Sequence, residues 1–536
     1  MKRFAQLLDA LIYQPGRNGK LRLIADYFDS APDPDRGYAL AALAGTLDLP
    51  FAKPAMLREL IAARTDPTLF LYSYDYVGDL AETIALMWPK AAGQQPRPSP
   101  LLWEVVTGLA RSKVEAPKQI ACWLDSLSAT ERWALLKLIT GGLRIGVSAR
   151  LAKTAFAEWG NVEVAEVEEL WHGLKPPYLE LFAWADKRGD KPEPCKEAAF
   201  RPFMLSHPIE DADMAKLAAV DFAAEWKWDG IRVQAAGGAA PRLYARSGDD
   251  ISKTFPDVIS AMDFGAVLDG ELLVRGSDED AAPFADLQQR LNRKTVTAKM
   301  LSEFPAFVRV YDVLFAGGED LRARPWTERR AWLEDFFARR AGALNDQRFD
   351  LSPTVLFETW EELTQIRAGS RSAGMEGLML KRRDAAYVSG RPKGLWFKWK
   401  RDPHTADAVL MYAQRGHGKR SSYYSDYTFG VWKGDELVPI GKAYFGFTDA
   451  ELKELDKWIR DNTTERFGPV RAVKPGLVLE VAFDGVQRSG RHKSGLALRF
   501  PRVSRIRWDK PAGEADRLET VEKLIAWRNA LRTRVE

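Results

Sequence analysis

Cysteine is nearly absent from this sequence. Its 536 residues include only Cys122 and Cys195, and neither belongs to a CxxC pair. A structural zinc site needs several thiolate or imidazole ligands at close spacing, so this pattern argues against one. Two distant cysteines also cannot form a disulfide scaffold. We therefore expect a chain that folds in a reducing compartment and depends on a hydrophobic core.

Long apolar runs are also missing, and neither sign of charge dominates. The opening segment, MKRFAQLLDALIYQPG, is too short and too charged to span a membrane, and it lacks the cleavage site of a signal peptide. Lys and Arg number 78 against 74 Asp and Glu, so a net charge of +4 does not by itself indicate nucleic-acid binding. A hydrophobic content of 46% argues against a disordered chain. We expect a soluble intracellular protein without membrane contact.

The length suits about three domains. Residues 1–185 are predicted to be all helical, because apolar residues recur at helical spacing, as in FAQLLDALIY. Ser128 and Glu131 match a capping box and predict the start of a helix over TERWALLKLIT. Residues 186–203 are charged and rich in proline, which predicts a linker.

Strand patterns replace helical ones after this linker. Residues 204–401 combine short alternating or apolar segments with intervening helices, which predicts a mixed α/β domain. Residues 402–536 hold shorter, regular strands and one helix, which begins at a capping box of Thr448 and Glu451. Five or so strands with one helix suit a small closed barrel. The predicted fold class is therefore multidomain α+β, with an all-helical N-terminal domain, an α/β domain and a C-terminal OB-fold β-barrel.

The central motif for chemistry is EWKWDGIR at residues 225–232. Strand alternation puts Glu225, Lys227 and Asp229 on one face. A lysine can act as a nucleophile when its amine is partly neutral, and nearby cations and desolvation lower its pKa enough to allow this. KxDG alone occurs often by chance, so on its own it would indicate an ordinary lysine at a strand end.

Further charged and aromatic side chains follow on predicted strands. In WFKWK, Lys398 and Lys400 share one face, and two adjacent cations suit the negative charges of a nucleoside triphosphate. Glu271 and Glu376 supply carboxylate oxygens of the kind that Mg²⁺ prefers. Tyr311 offers a flat ring on which a base can stack.

In this order, the motifs resemble the nucleotidyltransferase motifs of the ATP-dependent DNA ligases. The series is KxDGxR, an arginine in a second strand, DGE, an aromatic residue before Asp, EGxxxK and KxK. RFPR at 499–502 and RIRWDK at 505–510 resemble the family's final motif, which implies that Arg505 and Lys510 meet the pyrophosphate end of ATP. The resemblance is strong over residues 200–515. It extends more weakly to GLRIG at 142–146, which resembles the helical DNA-binding domain of the larger ligases.

The resemblance implies ATP and Mg²⁺ as cofactors and a covalent lysyl-AMP on Lys227. It implies that the adenine lies near Glu225 and stacks on Tyr311, and that Arg232 lies near the ribose or phosphate. It also implies that Glu271 contacts the ribose or a metal and that Glu376 binds the metal. The implied ATP-binding residues are Glu225, Arg232, Arg246, Glu271, Tyr311, Arg391, Lys398 and Lys400. A proline follows Arg391, so Lys393 is an alternative for that position.

The C-terminal stretch is the candidate DNA-binding surface. Between Gln487 and Lys510 the chain has eight Lys or Arg residues and one acidic residue. Apolar residues interleave with these cations, which favours a charged face over a packed one, as phosphate binding requires; a merely solvated face is the alternative. The GGLRIG turn can offer backbone N–H groups to phosphate, or it is a simple helix-hairpin turn. The predicted DNA or phosphate contacts are Arg144, Arg488, Arg491, Arg502, Arg505 and Lys510.

The function implied by the resemblance is the sealing of 5′-phosphate/3′-hydroxyl nicks in duplex DNA through lysyl-AMP and DNA-adenylate. The implied domains are a DNA-binding domain at 1–185, the linker at 186–203, an adenylation (nucleotidyltransferase) domain at 204–401 and an OB-fold domain at 402–536. We expect a monomer whose partner is nicked duplex DNA. We also expect cytoplasmic location, nucleoid association when DNA is bound, and separate proteins for any role in repair, replication or recombination.

Two alternatives remain open at this stage. An RNA ligase or capping-type nucleotidyltransferase shares the motifs, although the long helical region and the RFPR ending favour a DNA ligase. A non-catalytic DNA-binding clamp belongs to a different class, and the intact lysines and glutamates of the motifs argue against it. The scarcity of cysteine argues against an NAD-dependent ligase, because that group has a zinc site.

Overall fold

The computed structural model describes residues 1–89, 98–193, 199–276, 280–291, 293, 296–340, 347–369, 375–415, 424–444, 448–490 and 492–530. The chain forms two compact units, Met1–Pro202 and Phe203–Glu536, each with its own hydrophobic core. Among the helices described, none combines the length and the apolar character needed to cross a bilayer.

The first unit is helical, as predicted. Every regular element described in it is an α-helix: α1 (Lys2–Tyr13), α2 (Arg17–Ser30), α3 (Asp35–Leu43), α4 (Pro54–Ala62), α5 (Pro67–Val77), α6 (Leu80–Met87), α7 (Leu102–Arg111), α8 (Ala116–Ser126), α9 (Ala129–Thr140), α10 (Ala149–Gly160), α11 (Val164–Trp171) and α12 (Leu179–Ala185). The predicted capping box is present, because the side chains of Ser128 and Glu131 each accept a hydrogen bond from the other's backbone N–H at the start of α9. Gly141 ends that helix in the left-handed conformation, with φ of 72°.

The second unit begins with two β-sheets that face each other. Its first strands are β1 (His207–Pro208), β2 (Phe222–Trp228), β3 (Ile231–Ala236), β4 (Arg242–Ala245), β5 (Ala266–Val274), β6 (Ala306–Ala316), β7 (Glu319–Asp320), β8 (Phe349–Leu351), β9 (Thr354–Val355), β10 (Met375–Arg382) and β11 (Trp396–Lys400). The helices between them are α13 (Asp211–Met214), α14 (Pro256–Ile259), α15 (Phe284–Arg290), α16 (Ala298–Glu303), α17 (Trp326–Arg340) and α18 (Trp360–Gly369). One sheet has the order β1-β11-β10-β2-β9, and the other runs β4-β3-β5-β6-β7 with β8 on β6. The mixed α/β prediction is confirmed.

The chain passes from one sheet to the other immediately after the KxDG motif. β2 lies in the five-stranded sheet and β3 in the six-stranded sheet, so Asp229 and Gly230 form the crossing between them. A Cβ at Gly230 would lie 2.4 Å from the backbone oxygen of Leu272, which explains why the crossing needs a glycine. Lys227 therefore stands at the end of a strand, beside the cleft between the two sheets.

The C-terminal part is a second strand-rich region. It contains β12 (His404–Arg415), β13 (Tyr424–Lys433), β14 (Glu436–Ala443), α19 (Asp449–Asp461), β15 (Thr463–Phe467), β16 (Val470–Val473), β17 (Val478–Phe483), β18 (Gly485–Arg488), β19 (Leu496–Arg499), β20 (Arg502–Arg507) and α20 (Leu518–Ala530). The main sheet runs β14-β13-β12-β16-β15, while β17 joins β12 to β20 and the β18–β19 hairpin stands apart. The Thr448–Glu451 capping box opens α19, as predicted. Across the strands described, the hydrogen-bonded path does not close into a ring, so the OB-fold barrel stays a prediction.

Candidate active site

A cavity of about 460 Å³ lies between the two sheets of residues 203–400. The structure brings all ten residues predicted for catalysis, ATP binding and metal binding to its wall: Glu225, Lys227, Arg232, Arg246, Glu271, Tyr311, Glu376, Arg391, Lys398 and Lys400. These residues come from seven separate stretches of the chain, so their convergence is a property of the tertiary fold. Their individual roles stay predictions.

Strand register explains how Lys227 meets its neighbours. Gly377 on β10 pairs with Lys227 on one side and with Lys400 on the other, so the two lysines lie in one row across the sheet. The register between β2 and β10 slips by one residue at Glu376, which is the arrangement of a β-bulge. This slip lets the Glu376 carboxylate reach Lys227, whose Nζ donates a hydrogen bond of 2.5 Å to Oε2. The same oxygen lies 3.6 Å from the Lys400 ammonium.

Among the described residues, seven lysines and arginines line the cavity, and several of them are close enough to affect one another. Burial, together with the charges of Arg391, Lys400, Lys227 and Arg246, lowers the pKa of Lys398. Burial would also lower the pKa of Lys400, but the carboxylates of Glu376 and Asp484 reverse this and raise it. An arrangement in which cations repel one another inside a cleft becomes favourable when a polyanion occupies it.

The acidic residues of the cavity suit a divalent cation. Burial raises the pKa of Glu271 to about 8, the nearby Lys227 and Arg232 oppose the shift, and Glu376 adds to it. The two glutamates are thus close enough to repel each other, which a bound cation would relieve. Among the described residues, no set of three or more His, Cys, Asp or Glu forms a metal cage. Two carboxylates completed by phosphate oxygens and water fit the preference of Mg²⁺.

Arg232 is more heavily engaged than its predicted role near the ribose or phosphate suggests. Its guanidinium donates to both oxygens of Asp269, at 3.1 and 2.7 Å, to the backbone oxygen of Met204 at 2.7 Å and to the Tyr387 hydroxyl at 3.2 Å. Burial alone would lower the pKa of Arg232, but Asp269 raises it well above its ordinary value. Arg232 therefore braces the cavity wall, and most of its donors are not available to a ligand.

Sequence reasoning missed three residues beside the cavity. Asp269 and Tyr387 hold Arg232, and the Tyr387 hydroxyl donates to Asp269 at 2.7 Å. Lys381 lines the cavity and bonds to Glu225. Asp269 and Lys381 belong to the DGE and EGxxxK motifs, so a charged residue within a predicted buried strand could have identified both as site residues. No sequence pattern marks Tyr387.

The C-terminal region reaches the KxDG motif through the first arginine of RFPR, for which the sequence predicts no contact. Arg499 donates to both carboxylate oxygens of Asp229, one contact measuring 2.9 Å. Burial would raise the pKa of Asp229, but Arg499 holds it below its ordinary value. Beside this pair, Asp484 accepts from Lys400 at 3.0 Å and from Arg502 at 3.2 Å. The two parts of the second unit are therefore joined by ion pairs next to Lys227.

The predicted DNA and phosphate residues lie elsewhere, and among those described none lines the cavity. Arg505 lies 3.4 Å from Glu480, and the Lys510 ammonium donates to Asp407 at 2.7 Å. Arg488 is exposed at the end of β18. Arg491 lies outside the described residues.

Arg144 belongs to the helical unit, in the predicted GGLRIG turn. It is exposed and has a left-handed backbone, with φ of 52°, and Gly146 has φ of 66°. The ammonium of Lys20 on α2 donates to the backbone oxygens of Ile145 and Gly146, at 2.6 and 3.0 Å. The turn is thus fixed from inside, and the Arg144 side chain faces solvent.

Comparisons with known proteins agree with the motif series. Residues 203–400 match the family described as ATP dependent DNA ligase domain, and residues 420–510 match the ATP dependent DNA ligase C terminal region. "Probable DNA ligase" of Koribacter versatilis (strain Ellin345) is 34% identical over 574 residues, covering 100% of this chain and 98% of its own. "DNA ligase 1" of Korarchaeum cryptofilum (strain OPF8) is 28% identical and covers 98% of each chain.

Solved structures extend the likeness to the whole fold. The structure named Pmar-Lig_PreS3 has a TM-score of 0.59, covering 94% of this chain and 99% of its own. At 15% identity, this match concerns the fold alone.

A cleft that combines a lysine nucleophile candidate, clustered cations and paired carboxylates defines the nucleotidyltransferase class. Within that class, the chain belongs to the ATP-dependent DNA ligase family. Members of this family use ATP and a divalent metal such as Mg²⁺ to seal nicks in DNA through an adenylate. The predictions of family, reaction and cofactors are confirmed at this level, and the RNA ligase, capping and clamp alternatives are set aside.

Proposed function

We propose that Lys227 carries the AMP during nick sealing by this chain. The observation that carries the proposal is the row formed by Lys227, Gly377 and Lys400, with Glu376 bonded to the Lys227 ammonium. The Lys227 ammonium first gives up a proton to solvent; its neutral Nζ then attacks the α-phosphorus of ATP, a P–N bond forms, and the P–O bond to pyrophosphate breaks. The AMP then passes to the 5′-phosphate of the nick, and attack by the 3′-hydroxyl releases AMP and forms the phosphodiester.

The surrounding residues divide the task of positioning and charge neutralisation. Lys398 and Lys400 hold the α-phosphate, and Arg246 and Arg391 extend this positive wall toward the sugar and phosphates. Tyr311 stacks on the adenine beside Glu225, while Arg232 keeps the ribose end of the cleft in shape. Mg²⁺ bound by Glu271 and Glu376 would neutralise phosphate charge. Glu376 also orients the Lys227 amine.

The domain roles are part of the proposal. The helical region at 1–185 grips duplex DNA, 186–203 is a linker, 204–401 performs adenylation, and 402–536 is an OB-fold that contacts both ATP and DNA. Supporting this division, α12 ends at Ala185 and a separate compact unit begins at Phe203. We further propose a monomer that works on nicked chromosomal DNA with separate repair proteins.

The direct test is label transfer. The full chain is incubated with α-labelled ATP, α-labelled GTP or adenylate-labelled NAD, each with Mg²⁺, and is then run on a denaturing gel. ATP is expected to label the protein, with little label from GTP and none from NAD. Adding nicked duplex DNA should discharge the label and join the strands. Two outcomes would contradict the proposal. One is label transfer from NAD and not from ATP; the other is a labelled protein that loses its label to nicked RNA but not to nicked DNA.

Removal of residues 1–185 separates DNA binding from lysyl-AMP formation. A chain beginning at residue 186 is expected to form lysyl-AMP at a rate within about threefold of the full chain, because every cavity residue lies beyond residue 203. Its affinity for nicked duplex should fall roughly tenfold or more, since phosphate contacts dominate such binding. Gel-shift titrations at two salt concentrations measure the loss. Equal affinity of the two chains for the nick would refute the assignment of DNA grip to residues 1–185.

A double variant tests whether the C-terminal region takes two positions, one that contacts ATP during lysyl-AMP formation and one that contacts DNA afterwards. Arg505 and Lys510 face Glu480 and Asp407 here, whereas the family resemblance assigns them to the pyrophosphate end of ATP. Arg505→Ala/Lys510→Ala is expected to slow lysyl-AMP formation about tenfold or more, because a developing pyrophosphate loses two cations. Sealing of a nick that already carries a 5′-adenylate bypasses that step and should change far less.

Arg499→Ala is the matched variant for this comparison. It removes the contact with Asp229 that holds the C-terminal region in the position seen in this structure. In that position Arg505 and Lys510 lie away from the cavity, so lysyl-AMP formation should be largely retained and the later steps should slow. Single-turnover assays on ordinary and pre-adenylated nicks measure both variants. If the double variant slows both substrates equally, Arg505 and Lys510 are general DNA contacts and the two-position interpretation is wrong.

A further inference from the structure

Lys381 is a buried ammonium that the reaction described above does not use. It lies on β10, and only 1% of the residue is exposed. Its Nζ donates to Glu225 Oε1 at 3.0 Å and to the backbone oxygen of Tyr311 at 2.9 Å. The same atom lies 4.6 Å from the ring centre of Tyr311 and 4.8 Å from that of Trp396. Lys381 thus ties together the carboxylate and the ring at one end of the cavity.

The charge on Glu225 depends on this contact. Glu225 is also 1% exposed, and an unpaired carboxylate there would be strongly disfavoured. Burial raises the pKa of Glu225 above its ordinary value, and the nearby charges of Lys381 and Arg330 offset part of this shift, so loss of either cation would raise the pKa further. Arg330 is the more distant cation, 4.0 Å from Oε1, and its guanidinium already donates to Glu334 and to the backbone oxygen of Ser352. Lys381 is therefore the close partner that favours the ionised form of Glu225.

We propose that Lys381 is the positioning residue that keeps Glu225 an ionised acceptor and thereby makes the cavity select adenine over guanine. The inference rests on the proposed function, which puts the purine beside Glu225 and Tyr311. An ionised carboxylate only accepts hydrogen bonds, so it accepts from the amino group at C6 of adenine and repels the oxygen at C6 of guanine. A protonated carboxyl group can donate to that oxygen. Loss of the ammonium should therefore change the base preference as well as the rate.

The test compares three nucleotides in single-turnover labelling of the full chain. ATP, GTP and purine riboside triphosphate, which lacks the C6 amino group, are each supplied with Mg²⁺ at subsaturating concentration. The readout is the ratio of labelling efficiencies, kcat/KM for ATP over that for each other nucleotide. Wild-type protein is expected to favour ATP over purine riboside triphosphate by about tenfold to a hundredfold, the usual worth of a hydrogen bond to a charged group.

Lys381→Met removes the charge and keeps the length of the side chain. Both ratios are expected to fall by about tenfold or more, since the carboxylate loses its close cation. Lys381→Arg keeps a cation and should retain most of the preference. Lys253→Met, on an exposed lysine of the same region, is the control and should leave both ratios unchanged.

A merely structural role gives a different result, because it lowers labelling by all three nucleotides in parallel and leaves the ratios unchanged. That outcome in Lys381→Met overturns the inference. If this variant does not fold, Glu225→Gln decides. Its amide still accepts from the adenine amino group but can also donate to the oxygen of guanine, so the ratio of ATP over GTP should collapse while the ratio of ATP over purine riboside triphosphate falls less. An unchanged ratio of ATP over GTP overturns the inference. If wild-type protein takes label from none of the nucleotides, the proposed function itself fails.

Discussion

Lys227→Ala is expected to take up no label from ATP, with lysyl-AMP formation reduced by roughly 10⁴-fold or more, because the attacking nitrogen is gone. The fold should persist. Lys227 contributes one partly exposed ion pair with Glu376, and Lys400 remains near that carboxylate. The melting temperature should therefore change by only a few degrees. A denaturing gel after incubation with α-labelled ATP, beside a thermal melt, measures both quantities.

Two variants give this experiment its controls. Lys227→Arg keeps the charge and the contact with Glu376, but it should also fail, because a guanidinium stays protonated and cannot attack phosphorus. Lys216→Ala removes an exposed lysine from the same region and should label normally. Label on Lys227→Ala at the wild-type level would show that another residue carries the adenylate.

Glu376→Ala is expected to have the second-largest effect, slowing lysyl-AMP formation by about 100-fold or more. The variant leaves Lys227 without its 2.5 Å partner, while Asp484 still pairs with Lys400. It also removes one of the two carboxylates that fit Mg²⁺. A titration of Mg²⁺ in single-turnover labelling separates these losses, because a weakened metal site raises the Mg²⁺ concentration needed for half-maximal rate.

Three further substitutions serve as comparisons for Glu376→Ala. Glu376→Gln still accepts a hydrogen bond from Lys227 but carries no charge, so it should recover orientation and leave the demand for Mg²⁺ high. Glu271→Ala is expected to raise that demand too, without disturbing the Lys227 contact. Glu361→Ala, on the exposed surface of α18, should behave as wild type. A wild-type rate for Glu376→Ala across the whole titration would exclude Glu376 from the site.

Most of the cavity residues could be predicted because they belong to short motifs on strands; of the ten predicted, Arg246 and Arg391 are the two outside the strands. Alternation places Glu225 and Lys227 on the same face, and it does the same for Lys398 and Lys400. Both pairs line the cavity. Local pattern was sufficient here because the spacing within one strand is fixed by its geometry, whatever the rest of the fold does.

The contacts between these motifs could not be predicted in the same way. The meeting of Glu376 with Lys227 depends on a one-residue slip between β2 and β10, and no local signal marks that slip. Arg232 is the arginine of the KxDGxR motif, yet its hydrogen bonds to Asp269 and Tyr387 make it a support of the cavity wall. Such details depend on which strands pair and in which register.

Spacing in the sequence was enough to predict the helical N-terminal region, the change to strands after residue 203, the capped starts of α9 and α19, and ten of the residues that line the cavity. These features follow from spacing within a few turns of helix or one strand. The contact of Arg499 with Asp229, 270 positions away in the chain, and that of Lys381 with Glu225 become visible only in the folded chain. Ion pairs of this kind form between segments that the fold brings together, and their energy depends on burial and distance rather than on sequence spacing.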